Sequence, residues 1–151
     1  MILENLKDYI EQLKDKRRRK KVTEYINEIM VKDPKRLKLY DKCMEMNSLV
    51  SQHVKQFPWI EDKNMKIQVI KSVSSIGANL VEGNGQIYPA KELTFLNNAL
   101  GSAQESRYWY DLAKLNFYIS FDQFKIADDL LQEIILMLIA MMKRLKSNQV
   151  A

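Results

Sequence analysis

Six consecutive cations, Lys16-Arg17-Arg18-Arg19-Lys20-Lys21, are the strongest chemical feature of this sequence. Clustered Lys and Arg suit phosphates, because each neutralised phosphate releases condensed counterions and affinity grows with the number of contacts. On a helix six successive side chains point all round the axis, so some of them face away from any one ligand. The plain alternative is a solvated stretch whose charges repel one another. The distribution of charge favours a ligand. Residues 1–38 hold 12 basic against 7 acidic residues, and residues 39–151 hold 12 of each, so the whole net charge of +5 belongs to the amino-terminal segment. We therefore expect nucleic-acid contact from Lys16 to Lys21.

Other groups invite chemistry and explain themselves as structure. Glu82 and Glu105 are candidates for a carboxylate acid–base pair, but neither nucleophile nor metal ligand accompanies them, and hydrogen bonding where helices or subunits meet is the better reading. Gly83-Asn84-Gly85 resembles the start of a phosphate loop; it follows a helix and lacks a Gly-Lys-Ser/Thr continuation, so we read a helix cap with Gly83 left-handed at the C′ position. His53 and Cys43 are the only residues of their types. They exclude an intrachain disulfide and a His/Cys zinc site, and ten residues apart on one helix they cannot form a dyad. A carboxylate-only metal site is left open by composition alone. Arg107-Tyr108-Trp109-Tyr110 mixes a cation with aromatics as base-stacking surfaces do, yet aromatics within a helix more often pack, and packing is expected here. No catalytic residue, metal ligand or cofactor is expected, and the chain does not read as an enzyme.

The elements that position these groups are helices. Four glycines and three prolines in 151 residues leave little punctuation for a many-turned β fold. Asp33-Pro34 breaks the chain, giving a basic helical extension over residues 1–33 and a bundle over residues 34–148. The extension is apolar at Ile2, Leu6, Tyr9 and Leu13 and again at Val22, Tyr25, Ile26 and Ile29, with the charged run between. If its helix is continuous, the apolar stripe is interrupted for about two turns. Leu39, Cys43, Met46, Val50, His53 and Phe57 then step by four and three, the seam of a packed helix ended by Phe57-Pro58-Trp59. A helix from about Asp62 to Glu82 carries Val69, Val73, Ile76 and Leu80, beside the small residues Ser72, Ser75, Gly77 and Ala78. Another from Pro89 to about Ile119 turns Leu96, Leu100, Ala103, Tyr110 and Phe117 inward. A last one from about Asp122 to Lys146 carries Leu131, Ile134, Leu138, Met141 and Leu145. The expected fold is all-α: an antiparallel up-down-up-down four-helix bundle with an additional amino-terminal basic helix. Ile134 to Ile139 is apolar nearly all round, which demands burial on more than one side and predicts an oligomer. The longest apolar run, Ile134 to Met142, is nine residues, too short to span a bilayer. With no signal-peptide core over Met1 to Leu13, a cytoplasmic protein without membrane or small-molecule partners is expected.

Ser75-Ile76-Gly77-Ala78-Asn79-Leu80-Val81-Glu82-Gly83 resembles the S-I-x-x-N-(I/L)-(A/V)-E-G signature of the four-helix bundle family, also called the 23S rRNA intervening-sequence protein family. Lys91-Glu92-Leu93 with Phe95-Leu96 resembles that family's K-E-(F/L)-x-x-F-L segment, Gly101-Ser102-Ala103-Gln104-Glu105 its G-S-x-x-E, and Phe57-Pro58 the F-P that ends its first helix. The resemblance covers about Leu39 to Leu145. It implies an antiparallel bundle that assembles into a ring, commonly a homopentamer, with Asn79, Glu82, Gly83, Gly101, Ser102 and Glu105 as its structural and assembly motif. Members of the family are encoded in insertions within bacterial 23S rRNA genes. A related branch serves diversity-generating retroelements as accessory proteins that engage nucleic acid and the reverse transcriptase. No catalysis is implied. This chain has Gln86 where the family often has an arginine, and residues 1–38 have no counterpart in its short members. The expectation is a non-enzymatic ring whose partners are its own copies and RNA, or a complex of nucleic acid with a reverse transcriptase. The competing reading is a protein–protein scaffold with the extension as a docking helix.

Overall fold

The computed structural model describes residues 8–149, without the side chains of residues 27–31, 148 and 149. Ile2 and Leu6, and the side chain of Ile29, therefore lie outside the described residues. All regular structure described is helical. The chain separates into two compact units, Met1–Asp33 and Pro34–Ala151.

In the first unit residues 8–12 are helical, residues 13–15 are not, and α1 runs over Lys16–Val31. The stripe is thus interrupted by a break in the helix itself. Asp15 causes it by capping α1. Its Oδ1 accepts the Arg17 N–H at 2.9 Å, and its carbonyl accepts the Arg19 N–H at 2.9 Å. A short carboxylate that takes an orphan amide competes with continued helix and restarts it in register.

The second unit contains α2 (Lys38–His53), α3 (Met65–Asn84), α4 (Pro89–Leu115) and α5 (Phe121–Gln149), which surround one hydrophobic core. Consecutive helices pack on each other, and α5 packs on α2. Pro34 opens a 3-10 turn to Arg36, and the extended Leu37 separates it from α2. All six seam residues from Leu39 to Phe57 are buried, as are Val69, Val73, Ile76 and Leu80, then Leu96, Ala103 and Tyr110, then Leu131, Ile134 and Leu138. Leu100, Met141 and Leu145 pack on this core half-buried. Each fully buried Leu or Ile contributes about 1.5–3 kcal/mol by leaving water. Among the described residues no helix is long and apolar enough to cross a membrane.

Three boundary expectations are corrected. α3 starts at Met65 rather than Asp62, because Trp59–Glu61 forms a 3-10 turn first. Gly83 is not left-handed; it lies inside the last turn of α3, and Gly85 caps that helix at φ −77°, ψ −4°. Phe117 does not face inward. α4 stops at Leu115, and Phe117 sits at φ +58° with 92% of its surface exposed.

Candidate nucleic-acid interface and assembly motif

Lys16 to Lys21 occupy the first two turns of α1, and all six residues are exposed. They are not equivalent. The Arg19 guanidinium donates to the carbonyls of Glu11 at 2.8 Å and Leu13 at 2.9 Å, tying off the end of the preceding helical turn. Lys20 lies 3.9 Å from Glu24. Among the described residues, Lys16, Arg17, Arg18 and Lys21 make no side-chain hydrogen bond or ion pair. The first turn of α1 contains no acidic residue. A helix amino terminus already carries a positive partial charge, so cations there repel it, and an anion bound among them relieves that repulsion.

The motif residues divide into two groups. Ser102 and Gly83 hold α3 against α4, and Asn79, within α3, bonds the Ser75 hydroxyl that Ser102 meets. Asn79 Nδ2 donates to the Ser75 carbonyl at 2.8 Å and to Ser75 Oγ at 3.0 Å, and Ser102 Oγ stands 2.9 Å from the same hydroxyl. A Cβ on Gly83 would lie 3.0 Å from Phe95 Cβ and 3.3 Å from the Glu92 carbonyl, so close approach of α4 requires glycine there. The other group turns outward. Glu82 is exposed on the flank of α3. Glu105 Oε1 accepts the Trp109 indole N–H at 3.1 Å, one helical turn away. Gly101 is exposed in mid-helix, and a Cβ added to it would meet nothing within 4 Å.

The 23S rRNA-intervening sequence protein family matches residues 35–140. The chain belongs to this family. A solved structure similar to it is a protein of unknown function from the S23 ribosomal protein family of Bacteroides thetaiotaomicron. The two are 29% identical with a TM-score of 0.64, over 70% of this chain and 98% of that one. No curated protein matches the sequence. The family match begins after the cation run, so the family signature and the cluster belong to different units of the chain.

Within the family region the structure brings together polar groups that periodicity alone did not pair. Ser106 Oγ, fully buried, stands 2.9 Å from Ser72 Oγ and 2.8 Å from the Ser102 carbonyl. The signal was present as small residues on facing stripes, but the partners required the helix register. His53 Nδ1 lies 3.1 Å from the Tyr110 hydroxyl, joining α2 to α4. Burial lowers the His53 pKa and raises that of Tyr110. A histidine kept neutral in the fold charges more readily unfolded, so its contribution to stability declines as pH falls below about 6.5 toward its lowered folded pKa. Urea melts at about pH 7.5 and about pH 5.5 read that sign. Burial pushes the Cys43 thiol up to about 12, which removes a thiolate at neutral pH. Arg107 Nε meets Asp128 Oδ1 at 2.6 Å, linking α4 to α5. Burial pushes the Asp128 carboxyl up, and hydrogen bonds from Arg107 and Gln132 outweigh it and hold it below its usual range. In the run Arg107 to Tyr110 only Tyr108 is exposed, so most of it is occupied by packing and pairing. Among the described residues no three His, Cys, Asp or Glu side chains gather as a metal site.

Proposed function

We propose that this family member is a non-enzymatic helical protein of the bacterial cytoplasm that binds RNA, alone or in a complex with protein such as a reverse transcriptase, through its amino-terminal cations. The bundle, antiparallel and up-down-up-down, supplies assembly into a ring, with a homopentamer as the favoured number. The observation that carries the RNA reading is the start of α1. Among the described residues Lys16, Arg17, Arg18 and Lys21 are exposed without side-chain partners on a positive helix end whose first turn holds no acid, with Asp15 at the cap as the one carboxylate beside it. A fold has no use for that arrangement, whereas a polyanion does. Gly101 supports assembly. In a lone protomer alanine would serve better there, by about 1 kcal/mol of helix propensity, so a glycine suits close approach by another chain. A ring would then present several copies of a weak cluster to one polyanion, raising avidity without new contacts.

RNA titration at two salt concentrations tests the reading. Binding with a steep salt dependence, lost on deletion of residues 1–33, is expected. No binding by the full chain even at low salt overturns it. The scaffold reading draws on Tyr9 and Tyr25, both half-exposed on the extension. It predicts salt-insensitive capture of a protein partner and no RNA retention.

A further inference from the structure

α4 ends in a Schellman motif whose left-handed residue is the wrong type. The Tyr118 N–H reaches the Ala113 carbonyl at 2.9 Å and the Phe117 N–H reaches the Lys114 carbonyl at 3.0 Å, which places Phe117 at C′ with φ +58°. Glycine normally takes this position because a Cβ is strained there. Phe117 gains nothing back within the chain, since its side chain is 92% exposed. A strained backbone that displays a bare phenyl group is a feature for which the isolated fold has no use.

The same end of the unit holds more exposed apolar surface. The loop between α2 and α3 is tied to this turn by the Tyr118 hydroxyl, which donates to Glu61 at 3.1 Å, and by the Phe57 and Tyr118 rings, 5.4 Å apart. That loop carries Trp59, 82% exposed, and Ile60, two-thirds exposed; Leu115 and Phe121 are equally exposed on the other side of Phe117. Three aromatic side chains at these exposures, with Ile60 and Leu115, offer about 600 Å² per copy. A specific interface takes about 800 Å² from each partner, and incidental contacts less than about 400 Å². The charges around the patch balance: Lys66 pairs with Asp62, Lys114 with Asp111 and Lys125 with Asp129, and Lys55 and Lys63 are matched in number by Glu61 and Asp122. Such a rim attracts neither a polyanion nor an anionic bilayer, and it does not repel its own copy.

We infer that this end of the bundle pairs with the same end of a second copy, in a two-fold contact that sets Phe117 and Phe121 of each chain against Trp59 and Ile60 of the other. The contact doubles whatever particle the bundle otherwise forms: a ring becomes a stacked pair of rings, and a monomer becomes a dimer. The patch does not include Gly101, the residue offered above for the ring contact, and the failure of the one is distinguishable from the failure of the other. The ring sets the smaller particle's mass, whereas the end contact sets whether that mass doubles.

Sedimentation velocity of the full-length protein, up to about 100 μM, tests it. Wild type should show reversible, concentration-dependent doubling. Phe117→Gly should weaken that doubling at least tenfold while raising Tm, because glycine relieves the strain, so its loss of pairing is not a loss of fold. Trp59→Ala should weaken it similarly. Absence of doubling in wild type overturns the inference, as does doubling that both variants retain. Vesicles of phosphatidylcholine with phosphatidylglycerol provide the other arm. Retention on them that needs Trp59 and Phe117, without doubling in solution, assigns the patch to a lipid surface and overturns pairing.

Discussion

α1 and α5 both begin with a side-chain cap, but the charges in the first turn that follows differ in sign. At α5, Ser120 and Gln123 form a reciprocal capping box: the Ser120 hydroxyl accepts the Gln123 backbone N–H at 3.2 Å and the Gln123 side-chain Oε1 accepts the Ser120 backbone N–H at 3.0 Å. Asp122 adds a negative charge to the first turn. At α1, Asp15 supplies the cap, and then every side chain for two turns is a cation. The first start is arranged for folding. The second places charge where the helix dipole opposes it, so its composition answers to something other than helix stability. The same contrast divides the motif glycines: Gly83 is explained by Phe95 and Glu92, whereas Gly101 is explained by nothing in its own chain.

The largest effect expected from this contrast is on nucleic acid. Changing Lys16, Arg17, Arg18 and Lys21 together to Gln should lower RNA affinity at low salt by orders of magnitude. The slope of log affinity against log salt should fall by about 3 for four lost phosphate contacts. Filter binding across a salt series reads both. A slope unchanged by the four substitutions places the contact elsewhere and removes the reason for the α1 start.

The two glycines predict effects of opposite sign. Gly83→Ala forces α3 away from the Phe95 Cβ and the Glu92 backbone and should cost about 1–2 kcal/mol in chemical denaturation. Gly101→Ala has open space and should stabilise a protomer by up to about 1 kcal/mol. If Gly101 lies at a subunit contact, the same variant lowers the assembled mass in light scattering. Stabilisation with unchanged assembly would leave Gly101 unexplained and weaken the ring reading.

The helices of the second unit and their buried faces were legible in the sequence because their signal is repetitive. The steps from Leu39 to Phe57 name the buried face of α2 without knowledge of its neighbours. The family signature was legible as well, with its residues in order. What escaped depended on three-dimensional register or on single turns. The Ser72–Ser106 pair needs α3 and α4 aligned, and the Arg107–Asp128 pair needs α4 and α5 aligned. Phe117 continued the apolar stripe of α4 in pattern, but the helix closes two residues earlier, and a reversal of the backbone turns the ring to solvent. Gly83 followed an apolar stripe just as a helix-ending glycine does. Its reason is the neighbouring helix, which pattern alone does not reveal.

Removing the caps gives the next smaller effect. Ser120→Ala should cost about 1 kcal/mol in a urea melt of the bundle, because α5 starts at the edge of the core and loses a hydroxyl acceptor there. Asp15→Ala should remove a similar local energy from α1, yet the midpoint of bundle unfolding should hardly move, since Asp15 lies in the other compact unit. Amide exchange at residues 16–21 would show the loss instead. A large shift of the bundle midpoint on Asp15→Ala would mean that the two units unfold together.

The smallest effect is the most direct measure of what α1 gives up. Lys16→Glu places a carboxylate at the positive end of the helix, where it is worth about 0.3–1 kcal/mol at low ionic strength and less as salt screens it. Helicity of a peptide covering residues 13–32 should rise, and the gain should shrink in high salt. RNA affinity of the full chain should fall with the same substitution. If helicity and RNA affinity move in opposite directions, the cluster holds α1 below its attainable stability for the sake of binding. If Lys16→Glu leaves both unchanged, the charges are neither a burden on the helix nor a site, and the difference between the two helix starts loses its functional meaning.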